Sequence, residues 1–473
     1  MVSQVEPGYL RPQLPSTAPL DPEPFADITA DIHSKIMPGI THWASPKFMA
    51  FFPCSASYPA NIAEMWSNAL NGAHFNWICS PAVTELETIV MDWLAQAIAL
   101  PECYLSGGPT HGGGVILGTA SEALLTAMVA ARDKYLAEVT AHLPEGEDKE
   151  EELWRRRSKL VALGSSGAHS STEKAAKILG VRFRTVPITE EDGSYALKGD
   201  SLSKTIAELE AKGLEPFYLT VTMGTTDVCA VDDFEGIAKA LAPKAGKSGE
   251  IWVHVDAAYA GSALILEENQ HLTKAFADFH SFNFNPHKWM LTTFDCSAFW
   301  VKSRAHLIEA LSIKPPYLRN QFSDNELVTD YRDWQIALGR RFRSLKLWFV
   351  LRSYGIRGLQ AHIRSGVVLG ESMEKKLVSR PDLFTIFTPA RFALVTFRMK
   401  GRAGGQETLD EGAVNERTGR LYDRVTAKGE FYVVSTVVNG KYAIRICTGV
   451  QRVEEEHVQG MFDLLVQEAE AME

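Results

Sequence analysis

The stretch SFNFNPHKWMLTTFDCSAFWV (residues 281–301) contains two apolar runs of strand length, and the polar sequence Asn-Pro-His-Lys (285–288) directly follows the first of them. A lysine is costly to bury unless it is paired or used in chemistry. Lys288 nevertheless lies directly before Trp289 and shortly after Phe284. The pattern therefore predicts that Lys288 is a functional residue at the end of a buried strand.

Further apolar runs flank this stretch and alternate with segments of helical periodicity. The strand-like runs cover residues 159–164, 216–224, 250–261, 280–286 and 296–301, with helical patterns such as 171–179 and 233–242 between them. Apolar strands separated by helices are typical of βαβ units in a mostly parallel sheet that is covered on both faces. The sequence therefore predicts an α/β fold.

The two ends of the chain differ from this central region. Six prolines predict an extended arm over residues 1–25, and a helical pattern runs from Ile62 to Leu100, with Thr84 and Glu87 as a capping box. Strand-like runs at 392–399, 431–438 and 442–449, with a helix over 453–471 and a loop over 400–416, predict a smaller α+β unit. We therefore expect an N-terminal segment (1–60), a large domain (61–355) and a small C-terminal domain (356–473).

Composition narrows the class of protein. The net charge is −10, which argues against a general nucleic-acid-binding surface. The six cysteines form no CxxC pair, which favours reduced thiols, and the proline-rich start does not resemble a signal peptide. No apolar run approaches the roughly 18 residues that a membrane helix needs. We expect a cytoplasmic protein that binds neither nucleic acid nor membrane.

Several familiar motifs are excluded. The chain has no GxxxxGK[ST] and no GxGxxG, so neither a P-loop nor a Rossmann fingerprint is present. The sequence HGGG (111–114) is typical of esterases only together with a GxSxG elbow, which is missing. His254 and Asp256 lack a third ligand at suitable spacing, so no metal site is expected.

Three remaining features point to one cofactor when they are combined. The sequence GTASEALL (118–125) opens a helix, where free N–H groups and the helix dipole bind phosphate, although an ordinary N-cap is the simpler explanation of that motif alone. Asp256 ends an apolar strand, where ligands of α/β sheets bind, although a turn aspartate would look the same. With Lys288 as a Schiff-base lysine and Asp256 on the pyridinium nitrogen, the set predicts pyridoxal 5′-phosphate.

Longer motifs identify a family. The sequences IMPGITHWASPKF, SPAVTELETIVMDWL, HVDAAYAGSA, SFNFNPHKW and TDYRDWQIALGRRFRSLKLWFV closely resemble the group II pyridoxal-phosphate-dependent decarboxylases, and among them the aromatic-L-amino-acid decarboxylases. The resemblance covers nearly the whole chain. It implies a fold-type-I, aspartate-aminotransferase-like large domain with a mostly parallel seven-stranded sheet, a small C-terminal α+β domain, and a homodimer with active sites at the subunit interface.

The resemblance also assigns roles to residues. It implies Lys288, Tyr317, His169 and Asp256 as catalytic residues, with His169 stacked on the cofactor ring and Tyr317, on the loop 314–326, as the proton donor. It implies that the cofactor is bound by Ala120, Ser121, His169, Thr226, Asp256, Asn285 and Lys288. It implies a substrate pocket lined by Trp43, Phe52, Pro53, Cys54, Phe75, His169 and Gly339, in part across the dimer interface.

The implied reaction is the decarboxylation of aromatic L-amino acids such as tryptophan, tyrosine, phenylalanine, dopa and 5-hydroxytryptophan to arylalkylamines. An aromatic acetaldehyde synthase is the alternative, because related enzymes with phenylalanine in place of Tyr317 make aldehydes. Gly339 disfavours a histidine decarboxylase, and a non-catalytic binding protein remains a further alternative. The chain departs from the animal pattern at Phe51, Cys54 and His74, and only six residues precede PGYLRP, so the first family helix is expected to be missing.

Overall fold

The computed structural model describes residues 2–190, 193–313, 322, 328–403, 406–407 and 410–472. Its centre is a seven-stranded sheet with the order β1-β7-β6-β5-β4-β2-β3. The strands are β1 Gly113–Leu117, β2 Leu160–Ser165, β3 Arg182–Val186, β4 Glu215–Thr222, β5 Trp252–Asp256, β6 Ser281–Phe284 and β7 Ser297–Val301. Only β7 runs antiparallel to its neighbours β1 and β6, so the prediction of a mostly parallel sheet is confirmed.

Helices cover both faces of this sheet and continue into the C-terminal region. They are α1 Phe25–Asp31, α2 Tyr58–Ala69, α3 Pro81–Ala97, α4 Ala120–Val139, α5 Glu147–Arg157, α6 Ser171–Leu179, α7 Gly199–Glu210, α8 Phe234–Leu241, α9 Pro286–Trp289, α10 Ala305–Leu311, α11 Arg343–Val378, α12 Glu411–Ala427 and α13 Glu455–Glu470. Each described helix is too short or too polar to span a lipid bilayer. The apolar strands require this cover because both of their faces are buried.

A second, antiparallel sheet forms the smaller unit, with the order β12-β13-β9-β8. Its strands are β8 Phe384–Arg391, β9 Leu394–Met399, β12 Val434–Val438 and β13 Lys441–Cys447, and a short pair, β10 Arg402–Ala403 and β11 Gln406–Glu407, lies beside them. The helix α11 runs from the large sheet to this smaller sheet. Its helical geometry breaks at Gly355, whose φ of 62° glycine adopts with little conformational strain. The predicted α+β C-terminal unit is therefore present.

Three sequence-based expectations about local structure are wrong. The helix expected from Ile62 to Leu100 is two helices, α2 and α3, because Pro81 starts a new helix after an irregular segment. The capping box is not at Thr84, which lies inside α3, since the N-cap of this helix is Ser80. The loop expected over 400–416 contains β10 and β11, and the helix α12 already begins at Glu411.

Candidate active site

The catalytic candidates lie at one edge of the large sheet because of its strand directions. The strands β1, β2, β4, β5 and β6 are parallel to one another and end at the same edge. Ligands of open α/β sheets bind outside this carboxyl edge. The residues that follow these strands are Ala120 and Ser121 after β1, His169 after β2, Thr226 after β4, Asp256 at the end of β5, and Asn285 and Lys288 after β6.

Lys288 lies in α9, a single helical turn that Pro286 starts directly after β6. Its Nζ atom is 5.2 Å from the centre of the Phe52 ring, so an aromatic face meets the ammonium group. The Lys288 carbonyl accepts a hydrogen bond of 2.6 Å from the hydroxyl of Ser55. Burial lowers the pKa of Lys288, and the negative charge of Asp256 opposes this shift. A lowered pKa increases the share of neutral amine, which is the nucleophilic form.

Asp256 is buried at the end of β5 and retains spare hydrogen-bonding capacity. Its Oδ1 atom accepts a bond of 3.0 Å from the N–H group of Ala258. Its backbone carbonyl accepts a bond of 2.9 Å from Met223, which ties the strand end to β4. Its other carboxylate oxygen has no hydrogen-bond donor among the described residues, so this oxygen is free to face a bound ring nitrogen.

A chain of buried hydrogen bonds runs along the same face, towards Asp256. The indole N–H of Trp252 donates to the hydroxyl of Ser281 at 2.8 Å, and this hydroxyl contacts Nδ1 of His254 at 2.8 Å. Nε2 of His254 is 2.8 Å from Oδ1 of Asn283. Because an amide oxygen only accepts, the proton is on Nε2, and Ser281 donates to Nδ1. The sequence interpretation of His254 as an orienting residue is compatible with this network.

Buried histidines predict acid lability. Burial lowers the pKa of both His254 and His287 to about 4, whereas an unfolded histidine titrates near pH 6.5. Between these values the unfolded chain binds more protons, so stability falls as the pH drops from 6.5 towards 4, by about 2 to 3 kcal/mol per pH unit for the two groups. Denaturant unfolding of the wild type at several pH values checks this, and a His287→Gln variant is expected to show a shallower slope. An equal slope in both proteins would contradict the assignment.

The start of α4 has the features of an anion site. Thr119 caps the helix by accepting the N–H of Glu122 at 3.2 Å, and the Glu122 carboxylate accepts the N–H of Gly118 at 2.9 Å. The N–H groups of Ala120 and Ser121 have no acceptor in the described part of the chain, and Oδ1 of buried Asn285 likewise has no partner there. Free N–H groups at a helix N-terminus bind phosphate. With Lys288 and Asp256 at the same edge, these residues fit pyridoxal 5′-phosphate.

His169 and Thr226 lie at the same edge with different surroundings. Nδ1 of His169 accepts from the backbone N–H of Ser171 at 3.2 Å and is 2.8 Å from the Ser171 hydroxyl. This leaves the proton on Nε2, and the imidazole is exposed in the single chain. Thr226 is partly buried, next to a turn in which Thr225 accepts the N–H of Ala230 at 3.0 Å.

The predicted pocket residues form three separate groups in the single chain. Phe52, with Pro53 and Cys54 beside it, is the group that contacts Lys288. Trp43 instead packs on Phe48 and Phe51, at centroid distances of 4.5 and 5.7 Å. Phe75 and Gly339 lie in two segments that backbone hydrogen bonds connect. The N–H of Arg332 donates to the carbonyl of Phe75, and the N–H of Arg340 donates to the carbonyl of Ala73. No hydrogen bond or ring contact between described residues joins Phe75 or Gly339 to Lys288, and Tyr317 lies outside the described residues.

Arg445 is a residue of this region that the sequence did not reveal. It is buried, its guanidinium group lies 5.3 Å from the centre of the Phe52 ring, and its Nε donates to the Asp227 carbonyl at 3.0 Å. Because Arg445 lies on β13 of the smaller sheet, far from Phe52 in sequence, no local pattern indicates their contact. Ser55 was missed for the same reason.

Comparison with known proteins identifies the family. The model of the pyridoxal-dependent decarboxylase conserved domain matches residues 7–400. The chain belongs to this family. This decarboxylase is 45% identical to aromatic-L-amino-acid decarboxylase of Rattus norvegicus (96% of this chain, 89% of the relative) and 44% identical to phenylacetaldehyde synthase of Petunia hybrida (99% and 90%).

Solved structures support the same conclusion. The crystal structure of TDC from Oryza sativa with PLP and tryptamine superposes with a TM-score of 0.92 at 37% identity, covering 100% of this chain and 93% of the other. The predicted fold class and cofactor are thereby confirmed, so the protein is a lyase that depends on pyridoxal 5′-phosphate.

Proposed function

We propose that this decarboxylase converts aromatic L-amino acids to arylalkylamines and CO₂. The observation that carries the proposal is the convergence of Lys288, Asp256 and the free start of α4 at one sheet edge, in a chain similar to an aromatic-L-amino-acid decarboxylase over 96% of its length. The tryptamine-bound neighbour supports an aromatic substrate. Phe52 offers the aromatic surface next to Lys288.

The side chains of this chain divide the chemical work. When bound, pyridoxal phosphate supplies an electron sink for the electron pair that the departing carboxylate leaves behind. Ala120, Ser121 and Asn285 hold the phosphate, and Lys288 anchors the aldehyde end through its neutral amine. Asp256 keeps the ring nitrogen protonated. His169 covers one face of the ring.

Proton return and access to water determine the product. Tyr317 donates a proton to the substrate carbon that has lost its carboxylate, and Thr226 is a polar neighbour of the cofactor. Exclusion of water from the bound substrate strengthens the electrostatic contribution of Asp256. Trp43, Pro53, Cys54, Phe75 and Gly339 complete the aromatic pocket.

A product assay tests the reaction directly. Holoenzyme is incubated separately with tryptophan, tyrosine, phenylalanine, dopa and 5-hydroxytryptophan, and amine, CO₂, aldehyde and hydrogen peroxide are measured. We expect amine and CO₂ in equal amounts without peroxide. A Tyr317→Phe variant is expected to release CO₂, aldehyde, ammonia and hydrogen peroxide in place of CO₂ and amine, because slower proton return lets molecular oxygen take two electrons from the electron-rich carbon, and water then releases the nitrogen as ammonia.

The alternatives give different products in the same assay. Aldehyde with peroxide from the wild type would establish an aromatic acetaldehyde synthase, the activity named for the Petunia relative. Absence of all products from protein that carries the cofactor would indicate a non-catalytic binding protein.

We further propose a cytoplasmic homodimer, built from the segment 1–60, a large domain over 61–355 and a small domain over 356–473. The support for a dimer is a set of exposed apolar side chains on α1 and α2. Met65 and Trp66 of α2 are 72% and 57% exposed, and Phe25 of α1 is also exposed; exposed apolar surface of this kind marks sites of protein association. A partner subunit covers this surface and completes the pocket at Trp43 and Phe75.

The dimer is tested with a charged substitution in the exposed surface. Met65→Asp/Trp66→Asp is expected to yield a monomer with strongly reduced activity. Light scattering after size-exclusion chromatography measures the molar mass, and the product assay measures the activity. The control is Trp154→Asp, at another exposed tryptophan, on the polar helix α5. A monomeric wild type with full activity would refute the proposal.

A further inference from the structure

Two buried hydrogen-bond donors flank Asp256 on the neighbouring strands. Thr222 of β4 and Asn283 of β6 stand at the same register position as Asp256 of β5. Side chains at one register position of parallel strands project from the same face of the sheet. The Thr222 hydroxyl and Nδ2 of Asn283 are both buried and have no partner among the described residues. Such groups cost free energy unless another state of the protein satisfies them.

The orientation of the Asn283 amide is fixed from behind. Its Oδ1 atom is 2.8 Å from Nε2 of His254, whose other nitrogen is held by Ser281 at 2.8 Å. Ser281 in turn accepts from Trp252. His254, Ser281 and Asn283 have no measurable exposure, so water does not compete for these bonds. With Oδ1 occupied by His254, the amide presents its unused N–H groups elsewhere.

Asp256 is an acceptor with unused capacity next to both donors. A carboxylate has about four acceptor positions. Asp256 receives a single side-chain hydrogen bond in the described structure, from the N–H group of Ala258. Donation to a carboxylate stabilises its charged form. The charge of this group is the property that a pyridine nitrogen needs from its partner.

We propose that Thr222 and Asn283 are positioning residues that donate hydrogen bonds to the Asp256 carboxylate in the holoenzyme, and that His254 orients Asn283 for this purpose. This inference rests on the proposed pairing of Asp256 with the ring nitrogen. The two donors hold the carboxylate in place opposite the ring nitrogen, where it keeps the proton on that nitrogen. Neither donor contacts the substrate, so substrate affinity does not depend on them.

Three titratable side chains among the described residues interact with the charge of Asp256. They are Lys288 from α9, His254 from the same strand as Asp256, and Tyr218 from β4. Thr222→Val changes none of these groups, so a shift in the titration of the bound cofactor in that variant reports the loss of the hydroxyl donor. Asn283→Leu also removes the acceptor of His254 Nε2, so a shift in that variant reports the amide together with its bond to His254.

The test compares Thr222→Val and Asn283→Leu with a matched control, Thr220→Val. Thr220 lies on the same face of β4, is buried, and bonds Tyr218 and Thr172 instead of flanking Asp256. The measurements are the pH titration of the visible absorbance of the bound cofactor, and kcat and KM. The two test variants are expected to shift the absorbance midpoint by about one pH unit away from that of the wild type and to lower kcat about tenfold, with KM within about twofold.

The control is expected to keep both the midpoint and kcat. Midpoints and kcat values in Thr222→Val and Asn283→Leu that equal those of Thr220→Val would overturn the inference. If Asn283→Leu does not fold, Asn283→Ala takes its place, because it also removes the amide donor and adds no other donor. Failure of the wild type to bind pyridoxal phosphate would instead refute the proposed function, so the two failures are distinguishable.

Discussion

Lys288→Ala protein is expected to lose at least about a thousandfold in decarboxylation rate, because it lacks the amine that anchors the cofactor aldehyde. Asp256 and the start of α4 remain, so the variant is expected to bind pyridoxal phosphate without covalent attachment and to release it on dialysis. Lys288→Arg keeps the positive charge and is expected to be equally inactive, since the requirement is for a neutral nucleophile. Product release and the visible absorbance after dialysis are the two measurements.

A lysine at the opposite edge of the sheet provides the control for this experiment. Lys302 follows β7, where its ammonium group donates to the carbonyl of Ala277 at 2.6 Å. Lys302→Ala removes the same side chain at a distance from the site and is expected to retain activity and cofactor. Retention of more than about a tenth of the wild-type rate by Lys288→Ala would refute the role of this lysine.

Arg340→Met is expected to destabilise the fold by about 3 to 5 kcal/mol, because it leaves the charge of Glu87 buried without a partner. Nη2 of Arg340 is 2.6 Å from Oε1 of Glu87, and both side chains are at most 1% exposed. The same Glu87 oxygen accepts the N–H of Ile116 in β1 at 2.8 Å. The bond therefore joins α3 and the segment before α11 to the large sheet. Urea unfolding measures the loss.

An exposed ion pair and a double variant complete the test. Arg364 and Glu268 form a pair of 3.1 Å whose side chains are about half exposed, and Arg364→Met is expected to cost at most about 1 kcal/mol. Glu87→Leu/Arg340→Met removes both buried charges and is expected to be more stable than Arg340→Met alone. Equal losses in Arg340→Met and Arg364→Met would show that burial does not strengthen the contribution of the pair.

Glu87 also shows where sequence reasoning fails. Its position three residues after Thr84 matches a capping box, and the local pattern contains no sign of Arg340, which lies more than 250 residues away. The helix instead begins at Pro81, with Ser80 as its N-cap, so Glu87 lies on the buried face of α3. The strands β1, β3 and β8 were likewise not predicted. β1 lies within a glycine-rich stretch and most of the β3 side chains are not fully buried, so neither has the apolar signature of a central strand.

The sequence by itself determined the α/β class, most central strands, the start of α4 at Thr119 and the choice of pyridoxal 5′-phosphate. These features depend on local periodicity, on helix-capping chemistry and on long family motifs, each of which involves residues that are close together in the sequence. The tertiary structure alone decided which side chains meet. The register of β4, β5 and β6 places Thr222 and Asn283 beside Asp256, and chain folding brings Arg445 to Phe52. Such contacts join distant segments, and their energies depend on burial, which no local pattern encodes.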